Sequence, residues 1–367
     1  MTPAAARSVH MRLILWAVLS GVVLWALEAG RIPAAGLLHD RKVQAAGRMA
    51  AATQAVAAER ERRGIPIDAD ADPNRTGLIG PEHTPITTTL GHLPAKRTST
   101  NPNMAGLVAH LLGRAGAAPG ACAAVAFSGS FPALNIAVLS ACAAMGVRPV
   151  AVSSIGASTY GATHPDFTWP DMERALFERH VFPWRSAAVA AGGVERTSPL
   201  FADEGLRLAR AAMDRSGLPV LDENGERSLA ADVERRRQLY VDGCGGLPAV
   251  FVNVGGSLAA IGNCRGVDRL PPGLVAPGSL EAGPDCGLVH RMAADGVPVI
   301  HLLNVLGLAR DHGLPVDPVP LPGVPDGRVM TAGGYSRPSA LAGLMAVLGL
   351  GWWAGRRRLH RTNEREY

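Results

Sequence analysis

Five short apolar runs, each breaking off into small polar residues and separated from the next by helix-like stretches, constrain this chain more than any other feature. They are AAVAFSGS (123–130), RPVAVSSIGAS (148–158), SAAVAAGG (186–193), PAVFVNVGGS (248–257) and VPVIHLLN (297–304). Helical patterns separate them at 131–145, 170–180, 203–216, 229–240 and 287–295. Strands that are apolar throughout, rather than alternating, must be covered on both faces, and strand–helix alternation makes the sheet mostly parallel. The expected fold is therefore α/β, a mostly parallel sheet with helices on both faces in a three-layer, Rossmann-like arrangement. Apolar residues make up 47% of the 367, enough to fill such a core, and no internal repeat is present.

In open parallel sheets ligands bind outside the carboxyl ends of the strands, and here the first four such ends carry hydroxyls or glycines. The first is Ser128-Gly129-Ser130. Ser130 is placed to cap the helix that follows, with Pro132 in its first turn and Gly146 at its end. The free N–H groups of that first turn then suit an anion. Three readings of Ser130 stay open: a cap only, a cap that binds ligand, or a nucleophile. The third needs a base, for which Lys96, His83 and His164 are candidates. FSGSF is not a G-x-S-x-G elbow, so no catalytic residue is assigned. Thr168 with Asp171, and Pro170 between them, reads as a second helix start.

The other strand ends extend the candidate ligand site to Ser153, Ser154, Ser158, Thr159, Tyr160, Asn253, Gly255 and Gly256. VNVGGSLAAIG does not match the dinucleotide fingerprint, and no cofactor is assigned. The stretch GLIGPEHTPITTTLGHLPAKRTSTNPN, 77–103, is long, poor in apolar runs and dense in reactive groups, the mark of a functional loop. It adds Glu82 and His83 to the site, and Lys96 with Arg97 as a grip for a carboxylate or phosphate. His164 and Asp166 lie two apart in a loop without a further ligand at metal spacing. The aspartates of DADAD lack the glycine and closing glutamate of a calcium loop. No metal is expected.

The ends carry the membrane argument. Leu13 to Leu27 is apolar behind Arg7 and Arg12, and Pro338 to Gly355 is uncharged, with Trp352 and Trp353 before Arg356, Arg357, Arg358 and Arg361. Apolar segments with edge tryptophans and a basic flank read as transmembrane helices. The expected organisation is an anchor at 1–30, a helix and linker at 31–76, an extracytoplasmic α/β domain at 77–335 and a second anchor with a basic tail at 336–367. The protein is then a two-pass protein of the cell membrane, with the lipid bilayer among its partners and both termini cytoplasmic. The formal charge of +5 sits largely at the termini. With no aromatic-studded basic groove, nucleic acid is excluded as a partner. The five cysteines would face an oxidising compartment, where Cys264 and Cys286 either bridge a Pro/Gly-rich loop or are simply small buried residues.

GLIGPEHTPITTTLGHLPAKRTSTNPN, FSGSFPALNIAVLSA, SSIGASTYGAT and VFVNVGGSLAAIGNC together resemble the membrane-anchored poly-gamma-glutamate system proteins, over roughly residues 75–310 and both apolar ends. These accompany the bacterial machinery that makes and exports poly-γ-glutamate. The resemblance implies synthase or export subunits as partners, and the polymer or another carboxylate as ligand. It implies no catalytic residues. Two functions follow: an accessory protein that binds an anionic ligand, or a hydrolase or transferase acting on the γ-glutamyl polymer.

Overall fold

The computed structural model describes residues 14–25, 37–192, 202–221, 228–267, 270–331 and 337–356. The chain divides into two compact units, one of residues 37–330 and one formed by the two ends, 1–36 and 331–367.

In the larger unit six strands form one mixed sheet: β1 (Cys122–Phe127), β2 (Arg148–Ser154), β3 (Ala188–Ala190), β4 (Val250–Val254), β5 (Gly273–Val275) and β6 (Val299–Leu302). Their spatial order is β3-β2-β1-β4-β6-β5. All neighbours run parallel except β5, which is antiparallel to β6. The short β5 lies in a Pro/Gly-rich stretch that shows no strand pattern.

The helices of this unit are α2 (Leu37–Arg62), α3 (Leu93–Ser99), α4 (Asn103–Arg114), α5 (Pro132–Met145), α6 (Trp169–Glu178), α7 (Asp203–Ser216), α8 (Leu229–Cys244), α9 (Leu258–Ile261), α10 (Leu288–Ala294), α11 (Val305–Asp311) and α12 (Arg328–Thr331), the last running one residue beyond it. The end unit holds α1, residues 14–25, and α13 (Arg337–Arg356).

Alternate strand residues feed opposite faces. Ala123, Val125, Phe127, Val252 and Ile300 join the core under α2, α4, α5 and α6. Ala124, Ala126, Val150, Phe251 and Val299 join the core under α8 and α10. Both faces are covered, which is why the strands are apolar throughout. The chain leaves β1 for the first face through α5 and leaves β4 for the second through α9 and α10. The strand order therefore reverses between β1 and β4.

α2 is part of this core. Ala45, Ala46, Met49, Ala52 and Val56 are fully buried along it. Arg60 at its far end is buried and donates to the carbonyls of Gly77, Ile79 and Pro66. Asp72 in the following linker is also buried, and its carboxylate accepts from Thr76 Oγ1 and the Gly77 N–H.

The expectation of two flanking transmembrane helices is overturned: among the described residues no helix is long and apolar enough to cross a membrane. A span needs about 20 predominantly apolar residues. The described part of α1 stops at residue 25. α13 is bounded by arginines, and four glycines and four alanines among its 20 residues contribute little apolar surface. The two-pass location in the cell membrane, with both termini cytoplasmic, falls with it. Arg357, Arg358 and Arg361 lie outside the described residues.

Candidate functional site

The β1–α5 junction is built differently from a side-chain cap. α5 begins at Pro132 and ends at Gly146, which adopts the left-handed conformation with φ 70°. Its N-cap is Phe131, and no side chain caps it. Ser130 turns its hydroxyl the other way, to accept the Ser158 N–H at 3.0 Å. Ser128 Oγ accepts the Ser130 N–H at 3.1 Å, and the Ser128 carbonyl is held by Asn135 Nδ2 at 2.9 Å. Asn135 is fully buried inside α5, and nothing in the sequence distinguishes it from an ordinary buried helix residue.

Two loops close over this junction. The chain after β2 passes so near that a Cβ on Gly129 would lie 2.7 Å from the Ile155 carbonyl oxygen. One on Gly161 would lie 2.7 Å from the Gly129 carbonyl oxygen. The 77–103 segment then lies along that chain. Thr88 N–H donates to Ala157 O at 2.8 Å, Thr159 N–H to Thr89 O at 3.0 Å, and Gly91 N–H to Thr159 Oγ1 at 2.6 Å. A Cβ on Gly91 would meet the Thr159 carbonyl oxygen at 2.5 Å, so only glycine fits this crossing.

Lys96, on α3, is the centre of the closure. Its side chain is 1% exposed. Nζ donates to the Ser130 carbonyl and to Ser158 Oγ, the latter at 2.7 Å. It also lies 4.0 Å from the centroid of the Phe131 ring. These partners are neutral, and burial pulls the ammonium pKa down to about 7. Taking a charge out of water favours its uncharged form unless an opposite charge replaces the solvent.

Arg97 is not beside it. Its guanidinium donates to the carbonyls of Ala71 and Asp70 and lies 3.5 Å from Asp317. It ties α3 to the 68–72 linker and to the loop before α12, so the expected Lys96–Arg97 grip is not formed: neighbours on a helix point about 100° apart.

The remaining predicted residues separate into two groups. Ser153 joins a buried network in which its Oγ lies 2.7 Å from Ser186 Oγ and accepts Trp169 Nε1–H at 2.9 Å. Ser186 in turn donates to Glu173, whose carboxyl pKa burial pushes up. Ser154 donates to the Phe127 carbonyl at 3.2 Å. Asn253 is buried, with Nδ2 donating to Gly255 O at 2.8 Å and to His301 Nδ1 at 2.9 Å. Burial, then the nearby His290, lowers the His301 pKa to about 4, so the ring is neutral and one of its nitrogens can accept. These are joints of the fold, as are buried Ser128, Gly129 and Thr159.

Within reach of solvent stand Ser130, Tyr160, Gly256, Glu82 and His83. Tyr160 sits at φ 63°. Its hydrogen bond to Glu82 raises its pKa, and His83 lies 3.7 Å from the same carboxylate. Gly255, at φ 82°, brings the end of β4 against Ser128: its Cβ would stand 3.1 Å from that of the serine. The half-exposed Ser130 and Gly256 thus flank the β1/β4 reversal, with Lys96 beneath Ser130. His164 lies elsewhere. Its Nδ1 accepts the Asp166 N–H at 3.2 Å, and the neighbouring carbonyls of Pro165 and Asp166 are held by Arg215 and Arg63.

Two disulfides are formed, Cys122–Cys244 and Cys264–Cys286. Cys142 stays a buried thiol whose pKa burial pushes to about 12. No protein-family model, characterised protein or solved structure matches the chain.

Proposed function

We propose that this is an accessory protein of poly-γ-glutamate synthesis whose α/β unit binds a carboxylate-bearing ligand at the β1/β4 reversal, with synthase or export subunits as its partners. The family context comes from the quoted motifs. The observation that carries the site is Lys96, a buried ammonium held only by neutral groups directly under the half-exposed Ser130. A carboxylate ~5 Å away, at an effective dielectric of ~20, gains ~3 kcal/mol from such a charge. The bare first turn of α5 adds donors and the positive end of a dipole.

Binding is then coupled to protonation. A bound carboxylate favours the ammonium, so the protein takes up a proton on binding near pH 7 to 8. Calorimetric titration with γ-linked glutamate oligomers is expected to give about tenfold tighter binding at pH 6 than at pH 8.5, since Lys96 is charged only at the lower value. Lys96→Met is expected to bind weakly at both. Equal affinity at the two pH values, unchanged in the variant, would remove Lys96 from the site and the reading with it.

One observation favours a second reading, a hydrolase or transferase on the same polymer. A lysine with a pKa of about 7 lies 2.7 Å from Ser158 Oγ. A neutral amine there can take the Ser158 proton as the oxygen attacks a γ-amide carbonyl, then pass it to the departing amine. Ser130 has no such base, because the lysine reaches its carbonyl and not its hydroxyl. Ser158 lies under Gly91, so this chemistry requires the 77–103 segment to lift. On this reading Ser158→Ala abolishes cleavage of a γ-glutamyl substrate while keeping affinity, and cleavage in the wild type rises as pH passes 7.

A further inference from the structure

The segment after α9 and the start of α10 bring together three metal-ligating side chains that stand 22 and 4 residues apart in the chain: Cys264, Cys286 and His290. Their donor atoms all lie within 4.8 Å of one another. Cys264 and Cys286 form a disulfide across a Cα–Cα distance of 4.8 Å. His290 Nε2 faces Cys264 Sγ at 3.7 Å. The imidazole is 5% exposed, and its Nδ1 is buried with no hydrogen-bond partner. A buried ring usually has its nitrogens paired to oxygen or nitrogen; here the polar neighbour is sulfur.

The frame that holds these groups does not depend on the disulfide. Gly262 and Cys286 form an antiparallel bridge, and Asn263 N–H donates to Asp285 O at 2.7 Å. A Cβ on Gly262 would lie 2.2 Å from the Gly287 nitrogen, and one on Gly287 would lie 2.5 Å from the Ala260 carbonyl oxygen. Two glycines therefore let the backbones lock at contact distance, and the ligands stay close when the S–S bond opens.

We propose that Cys264, Cys286 and His290 are a thiol-dependent zinc site, in which a dithiol reductant opens the disulfide and the released thiolates with His290 bind one Zn²⁺. The balance is complete. The dithiol gives two electrons and two protons to the S–S bond and becomes a cyclic disulfide. Zn²⁺ then displaces the two thiol protons and leaves the chain with two thiolate ligands and one imidazole. Zn–S of about 2.3 Å and Zn–N of about 2.1 Å put a tetrahedral S–N pair about 3.6 Å apart, close to the 3.7 Å between Cys264 and His290. Cys264 is half-exposed, so water has access to the fourth position. The site does not depend on the carboxylate-binding reading.

The test uses the full chain, reduced and freed of reductant under argon, checked by circular dichroism for native structure, and titrated with Co²⁺. The expected result is one equivalent of tetrahedral cobalt with a thiolate charge-transfer band, displaced by Zn²⁺ and absent from the oxidised protein. Cys264→Ser and Cys286→Ser are expected to weaken cobalt about 100-fold, His290→Ala about tenfold, and a Cys122→Ser/Cys244→Ser variant not at all. Mass mapping after alkylation is expected to show Zn²⁺ shielding Cys264 and Cys286 but not Cys122 and Cys244. No charge-transfer band, a band that survives Cys264→Ser, equal alkylation of all four, or loss of the fold on reduction each overturns the proposal.

Discussion

Lys96 is the residue on which the site turns, and its burial has a consequence for stability that needs no ligand. Its pKa is about 7 in the folded protein and near 10.5 in the unfolded chain. Below pH 7 both states hold the proton, and the folded state carries the full cost of a buried charge. Between about 7 and 10.5 the unfolded state binds more protons, so stability rises with pH. From pH 7 to 9.5 the gain is on the order of 3 kcal/mol. Lys96→Met removes this dependence while keeping most of the packed volume. Buried Cys142 titrates the opposite way, since its thiol pKa is raised to about 12, but it does so equally in both proteins. Urea unfolding at the two pH values is therefore expected to show the wild type gaining on the variant as pH rises. A constant difference would mean that Lys96 keeps its proton throughout.

At the scale of elements, the sheet is held at the start of its central strand β1 by a covalent tie that no local pattern announces. Cys122 opens β1 and Cys244 closes α8, 122 residues apart. The ends of the two elements come together because α8 crosses the sheet: Tyr240, fully buried, donates from its hydroxyl to the Val125 carbonyl at 2.9 Å and packs 5.9 Å from the Phe251 ring centroid. A cross-link closing so long a loop restrains the unfolded chain, and loss of a native disulfide typically costs about 2–5 kcal/mol. The Cys122→Ser/Cys244→Ser protein is expected to unfold at lower urea concentration by about that amount under oxidising conditions. Far-UV dichroism is expected to stay native, because β1 remains flanked by β2 and β4. An unchanged midpoint would show that the tie contributes nothing to the fold.

At the scale of the molecule, the α/β unit begins at α2. This helix carries the buried face Ala45, Ala46, Met49, Ala52 and Val56. Its basic side chains tie it to distant segments: Lys42 Nζ donates to Val329 O at 2.6 Å near the end of the unit, and Arg41 Nη1 to Met145 O at 3.0 Å at the end of α5. Residues 37–330 are expected to fold alone with a single cooperative transition. A chain starting at Gly64 loses that apolar face and uncovers α4 and α5, and it is expected to be insoluble or molten. Calorimetry of the two truncations decides the boundary. Cooperative melting of the shorter chain would show α2 to be an appendage.

The strands β1, β2, β4 and β6 and the helices between them were legible in the sequence because burial on both faces demands unbroken apolar runs, and turn chemistry such as Pro132 and Gly146 marks where a helix starts and stops. Short β5 had no such signature, since three residues beside prolines and glycines become a strand only when β6 offers an edge. α2 read as a helix outside the α/β domain because alanines pack closely without raising hydropathy, and only their partners on α4 and α5 show them to be core. The polar strand ends were legible as a cluster but not as roles. Ser153, Ser154 and Asn253 satisfy buried neighbours, Ser130 accepts from Ser158 instead of capping α5, and Arg97 turns to Asp70 and Asp317. A hydroxyl or a guanidinium takes whatever partner lies within 3 Å, and that choice belongs to chain segments far apart in sequence. The lowered pKa of Lys96, the meeting of Cys264, Cys286 and His290, and the reversal between β1 and β4 arise the same way: each depends on which segments are brought together and on how much water is excluded between them.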